Sequence, residues 1–223
     1  ENLGGGDFGN PNTNQHVITD SADFALSVYA TDLDGDGDPD VLSASRIDNK
    51  IAWYENVGSG NGVNGGSFGP QQVITTMAMG AYHVHAADLD GDGDADVLSA
   101  SFLDDKIAWY ENQGAGIFGV QQVITAVADG ATSVYATDLD GDGDADVLSA
   151  SSKDHTVAWY KNQGGGAFGS PQVITTDAAI ALSVYATDLD GDNDADVLSA
   201  SSKDDKIAWY ENQGGGVFGG QQV

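Results

Sequence analysis

The stretch Asp32-Leu-Asp-Gly-Asp-Gly-Asp-Pro-Asp40 is the most informative part of this chain, because near-copies of it begin again at residues 88, 138 and 188. Each copy places five carboxylates within nine residues. At about 5 Å in bulk water, each pair of such charges costs on the order of 0.8 kcal/mol. A chain that repeats this arrangement four times needs a cation, and the alternation of carboxylates with glycines favours calcium.

The spacing within the loop matches the coordination that calcium prefers, about 6 to 8 oxygen ligands. Positions 1, 3, 5 and 9 would supply side chains, and position 7 its backbone carbonyl. Gly37 is expected to have a positive φ, and Asn193, which replaces it in the fourth loop, tolerates the same conformation. We predict about four Ca²⁺, one in each acidic loop. The candidate metal residues are Asp32, Asp34, Asp36, Asp38, Asp40, Asp88, Asp90, Asp92, Asp94, Asp96, Asp138, Asp140, Asp142, Asp144, Asp146, Asp188, Asp190, Asp192, Asp194 and Asp196.

Three alternatives to a calcium loop of this kind fit the sequence less well. An EF-hand needs a glutamate at position 12 and flanking helices, whereas position 12 is a serine in every copy and the flanks predict strands. A solvated acidic turn does not explain why the spacing is kept four times. Magnesium prefers few carboxylates and retained waters, so it is less favoured than calcium.

The acidic loops lie in a longer repeat with spacings of 56, 50 and 50 residues. Each unit has short segments rich in Val, Ile, Tyr, Trp and Thr, bounded by Gly, Asp or Asn, which is typical of strands and turns. Four short strands in about 50 residues predict one blade of a β-propeller. We therefore predict an all-β propeller with four-stranded blades, at residues 20–75, 76–125, 126–175 and 176–223.

The number of strands leaves the size of the ring open. Residues 1–19 match only the end of a repeat and predict one extra N-terminal strand, while the longer first interval comes from a glycine-rich insertion near Gly58 to Gly66. Residues 1–223 are therefore a single propeller or part of one. The chain could belong to a larger propeller, form half of a ring with a second chain, or close as four blades with a spare strand.

Composition excludes several classes of partner. The net charge is −28, and the four loops hold 20 of the 35 acidic residues. No basic stripe exists to bind the phosphates of a nucleic acid or an anionic membrane. Cysteine is absent, and no apolar run approaches the roughly 20 residues of a membrane-spanning helix. The first residues also lack the features of a signal peptide, so we expect either that a signal was removed or that the chain is a piece of a longer protein.

These motifs resemble the FG-GAP repeat of the integrin α-chain propeller and its bacterial VCBS-type relatives. The resemblance covers essentially the whole chain, although Ser43-Ala44-Ser45 and its equivalents replace the Gly-Ala-Pro of the family name. It implies an extracellular or cell-surface propeller, commonly seven-bladed, with calcium in its loops. The repeats are also similar to those of a fungal lectin family whose members bind sugars between blades. The Phe-Gly pairs that carry the resemblance are Phe8-Gly9, Phe68-Gly69, Phe118-Gly119, Phe168-Gly169 and Phe218-Gly219.

The sequence favours a recognition or adhesion module, with carbohydrate or protein as ligand, over an enzyme. His83 and His85 would share a strand face, but no other repeat has a histidine there, and no catalytic set is evident. One alternative is a self-assembling repeat that completes a ring as a homo-oligomer, and another is the non-catalytic part of a polysaccharide-acting enzyme. Tryptophans at equivalent positions either pack between blades or stack on a sugar: Trp53, Trp109, Trp159 and Trp209.

Overall fold

The chain folds into fifteen short strands in a computed structural model that describes residues 17–58 and 67–223. The strands repeat in groups with the same lengths, which is what the repeated sequence predicts. They are β1 (Ala25–Thr31), β2 (Asp40–Ser45), β3 (Lys50–Tyr54), β4 (Gln72–Thr75), β5 (Ala81–Ala87), β6 (Asp96–Ser101), β7 (Lys106–Tyr110), β8 (Gln122–Thr125), β9 (Ala131–Thr137), β10 (Asp146–Ser151), β11 (Thr156–Tyr160), β12 (Gln172–Thr175), β13 (Ala181–Thr187), β14 (Asp196–Ser201) and β15 (Lys206–Tyr210).

Each group forms one antiparallel sheet in which sequence neighbours are also sheet neighbours. The orders are β1-β2-β3-β4, β5-β6-β7-β8 and β9-β10-β11-β12, while the last sheet is β13-β14-β15. The fourth strand of the last sheet is reduced to an isolated bridge between Trp209 and Gln222. The other blades have the four residues Gln-Val-Ile-Thr at that place, and the corresponding residues here are Gln222-Val223.

The second strand of each blade, Asp-Val-Leu-Ser-Ala-Ser, is buried on both faces in the two middle blades and largely buried in the first and last blades. Every residue of β6 and β10 is buried. The small Ala and Ser side chains allow the neighbouring sheets to approach closely, while each buried Leu or Val contributes about 1.5 to 3 kcal/mol. In the two middle blades, a neighbouring blade covers each of the two faces.

The core is divided among three clusters, and each cluster draws residues from two successive blades. In the first of them, Leu42 and Ile51 of the first blade pack against Val84 and Tyr110 of the second blade. The other two clusters join the second blade to the third and the third to the fourth. The blades therefore stabilise one another by the nearest-neighbour contacts expected of repeat proteins.

Two ends of the blades can be distinguished from the strand order. The acidic loop joins the first strand to the second, and the short turn from the second to the third strand lies at the opposite end because the strands are antiparallel. The first strands of successive blades contact each other in the order β1, β5, β9 and β13. The acidic loops therefore share one end of the molecule, which we call the loop end, and the other is the turn end.

Some expectations fall on residues outside the described ranges. They are the extra N-terminal strand of residues 1–19, of which only 17–19 are described, the pair Phe8-Gly9, and most of the insertion that follows Gly58. Within the described residues, no helix is long and apolar enough to cross a membrane.

Candidate functional site

The first aspartate of each acidic loop organises the turn through backbone hydrogen bonds. In the first loop, Asp32 accepts from the amide of Gly35 at 2.8 Å and from the amide of Gly37 at 2.9 Å. Gly37 has a φ of 92°, and Asn193 holds the equivalent position in the fourth loop with a φ of 76°. Both conformations were predicted from the sequence, and they wrap the chain around the carboxylates.

The last aspartate of the loop is the most buried. Asp40, Asp96, Asp146 and Asp196 are all 0% exposed. Asp96 accepts hydrogen bonds from the amide of Leu89 at 2.9 Å and from the amide of Asn112 at 2.7 Å. These bonds hold one carboxylate between the two ends of the loop, at the start of the second strand.

The third and fifth positions bring further oxygen atoms to the same place. The carboxylates of Asp34, Asp90 and Asp190 each accept from the amide two residues later, at 3.2 Å. The fifth position accepts in the same way from the seventh, for example Asp36 from the amide of Asp38 at 2.8 Å. The loop end therefore presents carboxylate oxygens that the backbone has already oriented.

In every loop, three carboxylates offer oxygens within 4.8 Å of one another. Burial raises the pKa of Asp96 to about 7 and that of Asp146 to about 6, against the hydrogen bonds that lower them, and neighbouring aspartates add repulsion. Charge repulsion at this distance is costly without a cation. The three-carboxylate groups are Asp32, Asp34 and Asp36; Asp88, Asp90 and Asp96; Asp138, Asp140 and Asp146; and Asp188, Asp190 and Asp196.

This donor set fits calcium. All of the candidate ligands are hard oxygen donors, which calcium prefers. The buried Oδ1 of Asp140 has no hydrogen-bond partner within the described part of the chain, so it is available to a cation. The position-7 carboxylates lie toward the following Gly turn, where Asp94 Oδ2 is 3.5 Å from the point that a Cβ on Gly114 would occupy. Their role as ligands stays a prediction, as does the metal itself.

An asparagine that the sequence reading did not single out connects the loops of successive blades. Asn112 is 1% exposed, and its Nδ2 donates to the carbonyl of Leu33 in the preceding loop at 2.8 Å and to that of Ala95 at 3.1 Å. Asn162 and Asn212 make the same contacts with Leu89 and Leu139. The sequence does mark this asparagine, because in every repeat the Trp-Tyr pair is followed by one residue and then Asn.

Three of the four tryptophans pack between blades. Trp53 meets Phe118 of the next blade edge to face at 6.4 Å, and Trp109 and Trp159 repeat the contact with Phe168 and Phe218. These three indoles are 3% to 4% exposed. Trp209, at the outer face of the last blade, is only partly buried. A sugar-stacking role stays a prediction, and of the four rings Trp209 is the accessible one.

His85 belongs to a row of aromatic rings on the first strands. Its ring lies 4.7 Å from that of Tyr29 and 4.7 Å from that of Tyr135. Burial, with a smaller contribution from His83, lowers the pKa of His85 to about 4. His83 Nδ1 accepts from the amide of Val134 at 3.4 Å, where the first and third blades use the hydroxyl of Ser27 and of Ser133. Both histidines therefore have packing roles in the structure.

A cavity of about 400 Å³ opens at the turn end, away from the acidic loops. Tyr82 and Phe102 form a stacked pair at 5.9 Å, and the ammonium of Lys153 lies 4.8 Å from the centre of the Phe102 ring. His155 and Ile180 line the same cavity and are joined by a hydrogen bond of 3.0 Å from the Ile180 amide to Nδ1. The cavity thus combines aromatic faces with a cation, as small-ligand sites commonly do.

Repeated four-stranded sheets with acidic loops at one end define a β-propeller with candidate calcium loops. The family model of the FG-GAP-like repeat matches the chain three times, over residues 32–99, 90–149 and 138–199. These matches cover well over half of the 223 residues. The chain belongs to the FG-GAP-like repeat family.

Solved structures show the same fold. A lectin of Agrocybe aegerita, described for its specific recognition of non-reducing terminal N-acetylglucosamine, matches with a TM-score of 0.61 and 24% identity over 86% of this chain. AofleA from Arthrobotrys oligospora matches with a TM-score of 0.55 and 16% identity over 90% of this chain. Virginiamycin B lyase from Staphylococcus aureus matches with a TM-score of 0.55 and 12% identity over 88% of this chain. All three are β-propellers, and at these identities they establish the fold alone.

The chain spans about half the length of these propellers, with coverage of 50%, 56% and 55% of the respective structures. No curated protein matches the sequence at a significant level.

Proposed function

We propose that this chain is an extracellular, calcium-binding propeller module that recognises a carbohydrate or protein ligand and has no catalytic role. The observation that carries the proposal is the division of the repeats into a constant and a varied part. The acidic loops, second strands and Trp-Tyr pairs are nearly the same in all four repeats. The cavity at the turn end is lined by residues that differ from one repeat to the next.

The varied positions give the cavity a chemistry that no single repeat contains. Tyr82 corresponds to Leu26, Thr132 and Leu182 in the other repeats. Phe102 corresponds in the same way to Arg46, Ser152 and Ser202. Because the scaffold is repeated, a residue that departs from the repeat is free to serve recognition. Aromatic faces beside Lys153 suit the apolar face and polar rim of a sugar, or a side chain of a protein ligand.

Backbone strain accompanies the cavity. Ile180 has a φ of 57°, which is an outlier for a β-branched residue, whereas Gly80 and Gly130 occupy the equivalent position in the second and third blades. Strain of this kind costs about 1 to 3 kcal/mol and is commonly kept at functional sites. Ile180 adds an apolar side chain to the cavity that glycine would not provide.

The calcium part of the proposal follows from the loop end. Each loop supplies several oriented carboxylates, and burial raises the pKa of Asp96 and Asp146, so a divalent cation would offset a real electrostatic cost. Extracellular modules bind calcium with dissociation constants of about 10⁻⁴ to 10⁻³ M. The ion would stabilise the link between the first two strands of each blade, and the loops themselves would not contact the ligand.

Binding to a glycan array in millimolar calcium tests the recognition proposal, with glycans ending in N-acetylglucosamine included because of the Agrocybe aegerita match. The variant Phe102→Ser introduces the residue that two other repeats carry, so it should fold normally. We expect it to weaken binding at least tenfold, and a matched Ser202→Ala variant outside the cavity to leave binding unchanged. Binding that Phe102→Ser does not affect would contradict the assignment of the cavity.

A second candidate function is self-assembly, which is favoured by the outer faces of the first and last blades. Val28 of the first blade is 70% exposed, whereas the equivalent valines Val84 and Val134 are at most 1% exposed. On the last blade, Leu189 is 47% exposed and Ile207 is 68% exposed, although their counterparts in the other blades are buried. These faces are the two halves of the interface that the chain forms three times internally.

A second copy of the chain fits these faces because each would receive the partner that the repeats already provide. The contact would be head to tail, which leads to a ring if it closes. Mass measurement in solution at micromolar concentration tests the idea. We expect a species near twice 22.9 kDa that Val28→Asp converts to the monomer, and a monomer for the unmodified chain would exclude self-assembly.

A further inference from the structure

Six of the seven basic residues lie at the turn end of the blades, in the turns after the second strands or at the starts of the third strands. The seventh, Lys161, follows the Trp159-Tyr160 pair and lies at the loop end. The other three repeats have a glutamate at this position, Glu55, Glu111 and Glu211. The six residues at the turn end are Arg46, Lys50, Lys106, Lys153, Lys203 and Lys206.

Lys161 contacts the third acidic loop directly. Its Nζ forms an ion pair with Oδ2 of Asp140 and another, at 2.9 Å, with Oδ2 of Asp142. These are the third and fifth positions of the loop, two of the predicted calcium ligands. No equivalent contact is possible in the first, second and fourth loops, where the glutamate adds a negative charge.

The third loop also differs in how its carboxylates are arranged. Asp34, Asp90 and Asp190 each accept the amide two residues later. Asp140 makes no such bond in the described structure, and its side chain, 8% exposed, keeps Oδ1 buried without a partner. The lysine has therefore replaced a backbone contact that the other loops share, and it has turned this carboxylate toward the ammonium.

We propose that the Lys161 ammonium is the resident cation of the third loop, so that the chain binds three calcium ions strongly and a fourth at least tenfold more weakly. The local charge is two units more positive than in the other loops, and calcium would have to displace an ammonium that already holds Asp140 and Asp142. The inference rests on the proposed calcium binding of the other three loops.

The lysine also gives the third loop a different dependence on calcium. The first, second and fourth loops would lose their counter-cation when calcium is removed, but the third would keep it. The third blade would therefore remain ordered longest in the absence of calcium. Asn162 and Asn212 connect its loop region to both neighbouring blades, which would limit how far those blades can open.

Counting bound calcium on the full chain by native mass spectrometry, with calorimetric titration to obtain affinities, tests the proposal. We expect three tight ions for the unmodified chain and four for Lys161→Glu, which installs the residue of the other repeats. Glu111→Lys, the reverse change in the second loop, should reduce the count to two. If Glu111→Lys does not fold, Glu55→Lys makes the same change in the first loop and should also reduce the count to two.

The outcomes separate this inference from the proposed function. Four equally tight ions in the unmodified chain, or an unchanged count in Lys161→Glu, would overturn the role of Lys161 while leaving calcium binding intact. No calcium bound by any of the variants would overturn the proposed calcium function, and this inference with it.

Discussion

The Nδ2 of Asn112 donates a 2.8 Å hydrogen bond to the carbonyl of Leu33, so the acidic loop of one blade is tied to the next blade. The backbone amide of the same asparagine donates to Asp96 at 2.7 Å. One residue thus contacts two successive loops. A cation that orders one loop would also help to position its neighbour.

Replacing Asn112 with alanine should destabilise the protein by about 2 to 4 kcal/mol, because the carbonyls of Leu33 and Ala95 would lose a buried donor. Urea unfolding in excess calcium measures the change. Asn56 is the matched control, since among the described residues its Nδ2 reaches only the Pro39 carbonyl of its own blade. Asn56→Ala should cost about 1 kcal/mol, and equal costs for the two variants would show that the inter-blade bond adds nothing.

Gly166 should be far less replaceable than its neighbour Gly165. Both have positive φ values, 70° and 62°, but a Cβ on Gly166 would lie 2.4 Å from the Trp109 ring, whereas a Cβ on Gly165 would meet nothing within 4 Å. We expect Gly165→Ala to cost about 1 kcal/mol from backbone strain alone and Gly166→Ala about 2 to 4 kcal/mol. Chemical denaturation of the two variants compares them, and similar losses would contradict the packing of Trp109 against this turn.

Acid should destabilise the fold through His85. Its pKa is lowered to about 4 in the folded chain, mainly by burial between Tyr29 and Tyr135, against an ordinary value of 6.5. The unfolded chain therefore binds more protons, so stability is complete above pH 6.5 and falls as the pH drops toward 4, by up to about 3 kcal/mol. Burial also lowers the pKa of His83, so this residue acts in the same direction.

The variant His85→Tyr isolates this contribution, because the other three blades have tyrosine there and the row of rings is kept. Unfolding free energies of both proteins from pH 7.5 to 4.5 should diverge below pH 6.5, with the variant losing less. Parallel pH profiles would show that His85 does not remain neutral in the folded protein.

The sequence predicted those features that depend on local patterns repeated four times. The strands, the acidic loops and the positive φ of Gly37 and Asn193 all follow from residue type and spacing. The Asn112–Leu33 bond could not be predicted, because its partners are 79 residues apart and meet only when blades pack. The Asp140–Lys161 pair joins two parts of the third blade that are 21 residues apart, and it was missed although lysine in place of glutamate was a visible departure. The cavity beside Phe102 combines residues from several blades and needs the folded structure.

The thermal midpoint of the full chain in 10 mM calcium and in excess EDTA tests whether the acidic loops bind calcium. With dissociation constants near 10⁻³ M, three loops would add about 4 kcal/mol and raise the midpoint by about 10 °C. Magnesium at the same concentration should give a much smaller rise. Equal midpoints in calcium and EDTA would show that the acidic loops do not bind calcium.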